Sequence, residues 1–271
     1  MAAQKFRFAV GIHFAKSLKT LQEKAKRLED SGFDVLHLPD HLGAPAPFPV
    51  LTAIASATST VRLGTYVLNA GFYKPALLAR DAAEVDQLSD GRLDLGLGAG
   101  YVKEEFEAAE LPYPTARQRV DYLEHVTTYI KKHLPSVPIL IAGNGNRLLT
   151  IAAQHADIIG LTGATSAAAD PLAERIEFVK SAAGDRFADL ELNLAITAVP
   201  SDNSGKPDLA LTRRFVDLSD EQLLALPSVL SGSPRDIADT LRGYHDTYGL
   251  TSFTFQENHV ETIAKVIAEF R

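Results

Sequence analysis

Short apolar runs alternate along this chain with longer stretches in which apolar residues recur every three or four positions. The short runs are typical of strands buried on both faces, and the longer stretches are typical of amphipathic helices. The pattern predicts eight strands, at residues 6–12, 34–38, 61–68, 93–97, 138–142, 157–161, 190–199 and 251–256. Nearly every strand is followed by a helix, and this alternation favours a parallel sheet with helices outside it.

Residues that start or stop helices mark the ends of the spaced stretches. Ser17 is a suitable cap for a helix that Gly32 ends, and Pro75 suits the first turn of another helix. Asp170 and Ser233 each precede a proline and open a helix in the same way. The predicted helices are residues 17–31, 50–58, 75–88, 101–110, 115–133, 147–155, 170–183, 219–225, 233–248 and 260–270.

The number of strand–helix units decides between two α/β architectures. Eight units within 271 residues fit a closed (β/α)8 TIM barrel better than an open doubly wound sheet. No change in composition marks a linker, so one domain over residues 1–271 is expected. In such barrels the chemistry lies at the carboxyl ends of the strands. The residues that follow the strands are therefore the candidates for a functional site.

Charge and composition exclude several classes of function. The formal net charge is −7 and no basic run is present, which makes nucleic acid or an anionic membrane an unfavourable partner. Cysteine is absent, so disulfides, thiolate metal sites and a cysteine nucleophile are excluded. The sequence shows no apolar run long enough for a membrane span and no signal peptide pattern at its start. A cytoplasmic protein with small-molecule chemistry is expected.

The stretch at residues 88–101 carries the densest set of small residues after a strand. A Ser-Asp-Gly turn leads into the apolar strand, which ends in Gly96, Gly98 and Gly100. Glycines at a strand end allow a sharp turn or let a flat ligand approach the backbone. Tight packing inside a barrel would require the same residues without any ligand. The sequence leaves both interpretations open.

Histidines and an aspartate follow the first two strands. Asp40 and His41 end the second strand, and His13 ends the first. A histidine at a barrel mouth can act as a general acid or polarise a carbonyl group. Alternatively, Asp40 caps a loop, His41 is a polar rim residue and His13 is structural. No spacing of histidines or carboxylates indicates a metal site.

A second glycine-bearing loop follows the strand that ends at Ala142 and opens a helix. Gly143, Asn144, Gly145 and Arg147 supply backbone N–H groups, a helix amino terminus and a cation, which together suit a phosphate. On the next strand, Thr162, Gly163 and Thr165 could add hydroxyl and backbone donors to the same group. An ordinary strand–helix turn is the alternative, because neither established glycine-rich nucleotide motif is matched.

Several of these segments have a familiar combination of residues. The most specific are residues 75–80 (PALLAR), 88–92 (LSDGR) and 95–101 (LGLGAGY), supported by 39–41 (PDH), 143–147 (GNGNR) and 231–234 (SGSP). Together they resemble the bacterial luciferase-like monooxygenase superfamily, and more closely its branch that uses the deazaflavin coenzyme F420. The resemblance covers nearly the whole chain.

The resemblance implies a deazaflavin or flavin bound in the barrel mouth. It implies a non-prolyl cis peptide bond at Tyr66–Val67 under the ring, with His41 as the proton donor and Asp40 orienting it. Tyr101 and His13 are second candidates for that role. The implied cofactor-binding residues are Tyr66, Val67, Leu68, Asn69, Gly98, Gly100, Ala142, Gly143, Asn144, Gly145, Arg147, Thr162, Gly163 and Thr165.

The chain also departs from the family pattern. Lys132 and His133 run almost directly into Pro138, where longer relatives place an insertion, and Tyr101 stands where many relatives have tryptophan. The segment after the seventh strand is short as well. A barrel with shortened insertion loops predicts an open mouth, or one covered by a partner chain. An open mouth could admit a bulky small-molecule or peptide natural product.

Three functions remain open at this stage. The first is an F420-dependent oxidoreductase that transfers a hydride between the deazaflavin C5 and an activated C=C, C=N or C=O bond. The second is an FMN-dependent monooxygenase that uses reduced flavin and oxygen. The third is a non-catalytic protein that binds a flavin or deazaflavin. A homodimer is expected by resemblance, because many relatives pack outer barrel helices together.

Overall fold

The computed structural model describes residues 6–13, 16–162, 170–214 and 216–271. Within this part of the chain, the strands are β1 (Arg7–Gly11), β2 (Val35–Leu38), β3 (Arg62–Thr65), β4 (Leu68–Asn69), β5 (Leu93–Gly98), β6 (Ile139–Ala142), β7 (Ile158–Thr162), β8 (Glu191–Ala195) and β9 (Ser252–Phe255). The α-helices are α1 (Leu18–Asp30), α2 (Pro47–Ala55), α3 (Pro75–Leu88), α4 (Lys103–Ala108), α5 (Ala116–His133), α6 (Asn146–His155), α7 (Pro171–Ala183), α8 (Asp220–Leu224), α9 (Pro234–Tyr248) and α10 (Val260–Ala268).

The strands close into a parallel barrel. β1 pairs with β2 on one side and with β9 on the other, and the order continues through β8, β7 and β6 to β5. β3 pairs with β5 through Leu63 beside Leu93, which completes the ring. β4 continues the path of β3 and pairs with β5 through Leu68 beside Leu97. Counting β3 and β4 as one position, the described strands form the predicted eight-membered (β/α)8 barrel.

Three of the differences from the predicted element boundaries have a local cause. The strand expected at residues 61–68 is divided into β3 and β4, and the intervening Tyr66–Val67 peptide bond is cis, as the family resemblance implied. The strand expected at 190–199 ends at Ala195, because the chain then turns to pair Ala198 with Val229 outside the barrel. The helix expected at 50–58 begins at Pro47, a residue that suits the first helical turn.

The LSDGR segment has a structural role in the fold. Asp90 and Gly91 take positive φ angles of 57° and 77°, which returns the chain from α3 to β5. The buried Arg92 guanidinium then donates five hydrogen bonds, at 2.7–3.2 Å, to oxygens at the end of α2 and in the loops around it. The acceptors are the carbonyls of Ala55, Thr58, Val61 and Ser89 and the Thr58 hydroxyl. Arg92 therefore joins the connection between α2 and β3 to the connection between α3 and β5.

Ion pairs close the amino-terminal end of the barrel. Arg7 of β1 donates to both carboxylate oxygens of Glu191 of β8 at 2.8 Å, and it also pairs with the buried Asp94 of β5. Arg62 of β3 donates to the other oxygen of Asp94 at 2.8 Å. Charged side chains from four strands therefore occupy this end of the barrel. The carboxyl end of the barrel is left as the place for a ligand.

A polar layer lies between the ion pairs and the carboxyl end. The buried His37 ring stacks on Tyr66, with ring centroids 5.1 Å apart. The Tyr66 hydroxyl donates to Asn193 at 3.2 Å, and the Asn193 amide donates to Ser252 and Thr254 at 2.9 and 3.0 Å. Burial lowers the pKa of His37 to about 3, so this histidine is neutral in the folded protein.

No helix in the described part of the chain is both long enough and apolar enough to cross a lipid bilayer.

Candidate active site

A cavity of about 790 Å³ lies at the carboxyl end of the barrel. This size is within the usual range for sites that hold a small ligand or cofactor. The predicted site residues that line it are Asp40, His41, Tyr66, Val67, Leu68, Asn69, Gly98, Gly100, Tyr101, Ala142, Gly143, Asn144 and Thr162. The folding of the barrel thus brings together residues from the ends of the second through sixth strand positions, although they are far apart in sequence.

Some predicted residues lie elsewhere. Gly163 and Thr165 lie outside the described residues. His13 is exposed and its Nε2 atom is 3.1 Å from the side-chain oxygen of Gln256, outside the cavity lining. Arg147 forms an ion pair with Asp121 of α5 instead of lining the cavity. Gly145 caps α6 and also lies outside the lining. The predicted contact of Arg147 with a phosphate therefore has no counterpart in this geometry.

Packing of the barrel itself requires the glycines of β5. A Cβ atom on Gly96 would lie 1.8 Å from the Thr65 carbonyl oxygen, and one on Gly98 would lie 2.6 Å from a Val67 methyl group. Gly100 has a φ of +72°, and a Cβ there would lie 2.1 Å from the Asn69 side chain. The packing interpretation is thus sufficient to explain these glycines. Gly98 and Gly100 nevertheless also border the cavity.

Asp40 stabilises the backbone of the bulge between β3 and α3. Its carboxylate accepts the Asn69 backbone N–H at 3.0 Å and the Tyr73 hydroxyl. Asn69 in turn accepts the Gly71 N–H at 3.0 Å. Burial raises the pKa of Asp40 above its ordinary value, and the hydrogen bonds oppose that rise. The prediction that Asp40 orients His41 is wrong in this geometry, because the Asp40 carboxylate is committed to the bulge.

The partner of His41 is Glu105. The His41 Nδ1 atom lies 2.8 Å from the Glu105 Oε1 atom, and the carboxylate is the more buried of the two groups. Tyr101 lies edge-on to the His41 ring, with centroids 6.4 Å apart. Glu105 belongs to the first turn of α4, where a carboxylate is favoured by the helix dipole. The imidazole is therefore held by an acid and an aromatic ring, with its Nε2 atom away from Glu105.

The loop between β6 and α6 forms the opposite part of the cavity. The Asn144 side-chain amide donates to the Thr162 hydroxyl, while its buried Oδ1 atom has no hydrogen-bond partner within the described residues. Arg175 of α7 donates to the Asn146 side chain at 2.6 Å and lies 3.5 Å from the Asn144 carbonyl oxygen. The cation beside this loop is therefore Arg175, and Arg147 faces α5.

The chain between β8 and α9 forms a wall of the cavity. Thr197, Thr212 and Ser228 place three linked hydroxyls there, with oxygen–oxygen distances of 2.9 and 3.2 Å. Val216 and Leu226 add apolar surface beside them. A separate apolar cluster supports this wall and is formed by Ala198, Leu209, Leu223 and Val229. This segment therefore contributes hydroxyls and apolar side chains to one side of the cavity.

Sequence reasoning missed three kinds of lining residue. Glu105 was included only in an acidic helix, although a carboxylate in the first turn of a helix after a strand end could have identified it. Arg119 lies in α5, and no local motif distinguishes it from Arg117. Of the three hydroxyls, Thr197 falls within the strand predicted at 190–199, and Thr212 and Ser228 lie outside every predicted strand and helix. Among the described residues, no group of histidine, aspartate and glutamate side chains is arranged to hold a metal ion.

The cavity fits a flat ring with a phosphate-bearing chain. Glycines leave the end of β5 free of side chains, and Tyr66–Asn69 border it with backbone and apolar groups. At the other end, the Thr162 hydroxyl accepts from the Asn144 amide and keeps its own hydrogen to donate into the cavity. α6 begins two residues after Asn144, and a helix amino terminus favours an anion such as phosphate. The donor set therefore agrees with a flavin-like group of the kind implied by the sequence.

Comparison with known families and proteins agrees with this geometry. The sequence model of the family described as luciferase-like monooxygenase matches residues 4–206. A 5,10-methylenetetrahydromethanopterin reductase of Archaeoglobus fulgidus is 31% identical over 169 residues, which cover 54% of this chain and 51% of that protein. An F420-dependent glucose-6-phosphate dehydrogenase of Amycolatopsis mediterranei is 32% identical over 123 residues, which cover 42% of this chain and 37% of that protein. The chain thus spans about half or less of these two relatives.

A solved structure extends the comparison to the whole fold. The coenzyme F420-dependent tetrahydromethanopterin reductase from Methanopyrus kandleri superimposes with a TM-score of 0.79. The match covers 98% of this chain and 100% of that one, at 17% sequence identity. At this identity the likeness establishes the barrel architecture.

Proposed function

This chain belongs to the luciferase-like monooxygenase family, and from that premise we propose that it is an F420-dependent oxidoreductase. The observation that carries the proposal is the meeting, in one cavity, of the His41–Glu105 pair with a glycine-lined surface and a polar loop at a helix start. One of the two relatives described above, the glucose-6-phosphate dehydrogenase of Amycolatopsis mediterranei, is named as F420-dependent, which supports the choice of cofactor.

The cofactor, when bound, supplies a deazaflavin ring that gives or accepts a hydride. Val67, Leu68 and Asn69 would border the ring, with the bulge held in shape by Asp40. The Thr162 hydroxyl would donate to the phosphate, supported by the Asn144 amide that it accepts and by the nearby N–H groups that begin α6. Arg175 positions this loop through its contacts with Asn146 and Asn144.

His41 is the proposed acid or base. Glu105 bonds Nδ1 and fixes the orientation of the ring, which leaves Nε2 to exchange a proton with the substrate. Because a carboxylate accepts and does not donate, this assignment places a proton on the Nδ1 atom of His41. Tyr101 shields one edge of the ring. The substrate would carry an activated C=C, C=N or C=O bond. Nε2 would exchange a proton with the heteroatom of a C=N or C=O bond, or with the carbon of a C=C bond that does not take the hydride.

The proposal is tested by titrating the purified protein with oxidised F420 and, separately, with FMN. The chain contains no tryptophan, so the visible fluorescence of either cofactor is read without interference. Micromolar F420 binding with weak FMN binding, followed by hydride transfer to an activated alkene or imine, supports the oxidoreductase. Tight FMN binding with oxygen consumption would indicate a monooxygenase instead. Binding without turnover of any acceptor would indicate a carrier, and binding of neither cofactor overturns the proposal.

A further inference from the structure

Arg119 lines the cavity from the first turn of α5. Its Nε atom donates to the Gly100 carbonyl oxygen at 2.8 Å, and Nη1 donates to the Pro114 carbonyl oxygen at 2.6 Å. The guanidinium also stacks on the Tyr113 ring, with its central carbon 4.4 Å from the ring centroid. These contacts hold a long side chain in one place at the edge of the cavity, so its position is fixed before any ligand binds.

The charge of Arg119 is not neutralised by the protein around it. No carboxylate in the described part of the chain lies within 4 Å of its guanidinium, and within those residues the Nη2 atom has no hydrogen-bond partner. Arg92 also bonds only neutral oxygens, but all three of its nitrogens are occupied and it lies away from the cavity. A partly buried guanidinium with an open nitrogen beside a cavity favours an anion.

We propose that Arg119 binds a carboxylate of the substrate and so selects acidic substrates over neutral ones. The inference rests on the proposed function, because it names the substrate class of the same site. Asp40 and Glu105 also border the cavity, and two carboxylates would repel a group of high negative charge. One open nitrogen matches a single carboxylate better than a phosphate, which needs several donors.

The carboxylate that meets Arg119 could come from the substrate or from the acidic tail of the cofactor. The experiment therefore uses two pairs of ligands. The first pair is 4-oxo-4-phenyl-2-butenoate and its methyl ester, which carry the same activated C=C bond. The second pair is F420 and its deazaflavin chromophore without the phosphate and the tail. The chain has no cysteine, so the alkene probes meet no protein thiol.

Binding of the acid and the ester is measured by calorimetry on protein loaded with oxidised F420, which cannot reduce them. We expect the acid to bind about tenfold more tightly than the ester, a difference of about 1.4 kcal/mol. In Arg119→Gln the two affinities should lie within about twofold, and Arg119→Lys should recover part of the difference. The matched control is Arg117→Gln, two residues away on the exposed side of α5, which should keep the full preference.

Two other results would overturn the proposal that Arg119 binds a substrate carboxylate. A purely structural role for Arg119 would weaken the acid and the ester equally, and this result overturns the proposal. Weaker binding of F420 in Arg119→Gln, with unchanged binding of its chromophore and an unchanged acid preference, would assign Arg119 to the cofactor tail and also overturn it. The same calorimetry on cofactor-free protein reads the acid preference even if F420 does not bind, so the two proposals fail separately.

Discussion

The Nδ1 atom of His41 lies 2.8 Å from the Oε1 atom of Glu105, a residue 64 positions later in the chain. His41 follows β2, and Glu105 comes from α4 after β5. The barrel brings these two elements to the same side of the cavity. The pair consists of a half-exposed imidazole and a mostly buried carboxylate, so the carboxylate acts as the fixed support and the imidazole as the exchanging group.

Replacing His41 with alanine should lower kcat by about 100-fold, because a positioned general acid typically contributes at least this much. Glu105→Gln should cost about tenfold, since the ring remains but loses its charged support. Hydride transfer is followed by the loss or gain of the deazaflavin absorbance. Tyr101→Phe serves as the comparison, and we expect it to stay within about twofold. A larger loss in Tyr101→Phe than in His41→Ala would make Tyr101 the proton donor.

A methyl group at Gly98 should damage both the fold and the cofactor site. Its Cβ would lie 2.6 Å from a Val67 methyl group, so the Val67 side chain must move. Overpacking of this kind usually costs about 1–3 kcal/mol of unfolding free energy. We expect urea denaturation of Gly98→Ala to show this loss and F420 affinity to fall by about tenfold. Gly243→Ala in α9, where no atom lies within 4 Å, should instead stabilise the protein by up to about 1 kcal/mol.

Variants on the phosphate side of the site should distinguish the role of Thr162 from that of Arg147. Thr162→Val removes a hydroxyl that lines the cavity and bonds Asn144, so the affinity for F420 should fall by about tenfold. The same variant should bind the phosphate-free chromophore as well as the parent does. Arg147→Gln breaks only the ion pair with Asp121, and its F420 affinity should stay within about twofold. A loss in Arg147→Gln equal to that in Thr162→Val would restore the original assignment of Arg147.

Acid should destabilise the protein through His37. The pKa of His37 is lowered to about 3 by burial in the folded barrel, and its ordinary value in an unfolded chain is about 6.5. Between these pH values the unfolded chain binds one more proton, so the free energy of unfolding falls as the pH drops. One such group contributes a slope of up to about 1.4 kcal/mol per pH unit.

His37→Gln should remove that contribution to the slope. Urea denaturation at several pH values between 4 and 6.5 measures it. His259, whose pKa burial lowers to about 4, should keep part of the pH dependence in the variant. The control is the exposed His133, whose replacement with glutamine should leave the slope unchanged. An identical slope in His37→Gln and the parent would mean that His37 takes up its proton over the same pH range in the folded and unfolded states, which contradicts the lowered pKa.

Arg92 should matter for stability and not for chemistry. Its guanidinium donates five hydrogen bonds to oxygens that would otherwise be buried without a donor. Arg92→Met should therefore lower the free energy of unfolding by about 2–4 kcal/mol, measured by urea denaturation. Arg80→Met on the exposed surface of α3 should change it by less than about 0.5 kcal/mol. Unchanged stability in Arg92→Met would contradict this role.

The barrel could be predicted from the sequence because its signals are local. Apolar runs, helix caps and prolines each act within a few residues, and strict strand–helix alternation then leaves few topologies. Residues at strand ends could be assigned to one face for the same reason. The division of 61–68 into β3 and β4 is different, because an apolar run carries no signal for a break within it.

The partners within the site could not be predicted in the same way. Asp40 and His41 are adjacent in sequence, which suggested a mutual contact, yet Asp40 bonds the Asn69 backbone and His41 bonds Glu105. The two partners come from β4 and α4, far along the chain, and only the closed barrel decides which lies nearer. Likewise, Arg147 is next to the glycine loop in sequence, whereas Arg175 reaches it from the following helix.

The wall between β8 and α9 has an implication for how such a protein diversifies. Its apolar cluster of Ala198, Leu209, Leu223 and Val229 is separate from the barrel core, so part of the segment packs on itself. It contributes hydroxyls and apolar groups to the cavity, while the residues proposed to hold the cofactor come from other strands. Replacement of this one segment could therefore change the range of substrates while leaving the residues proposed to hold the cofactor unchanged.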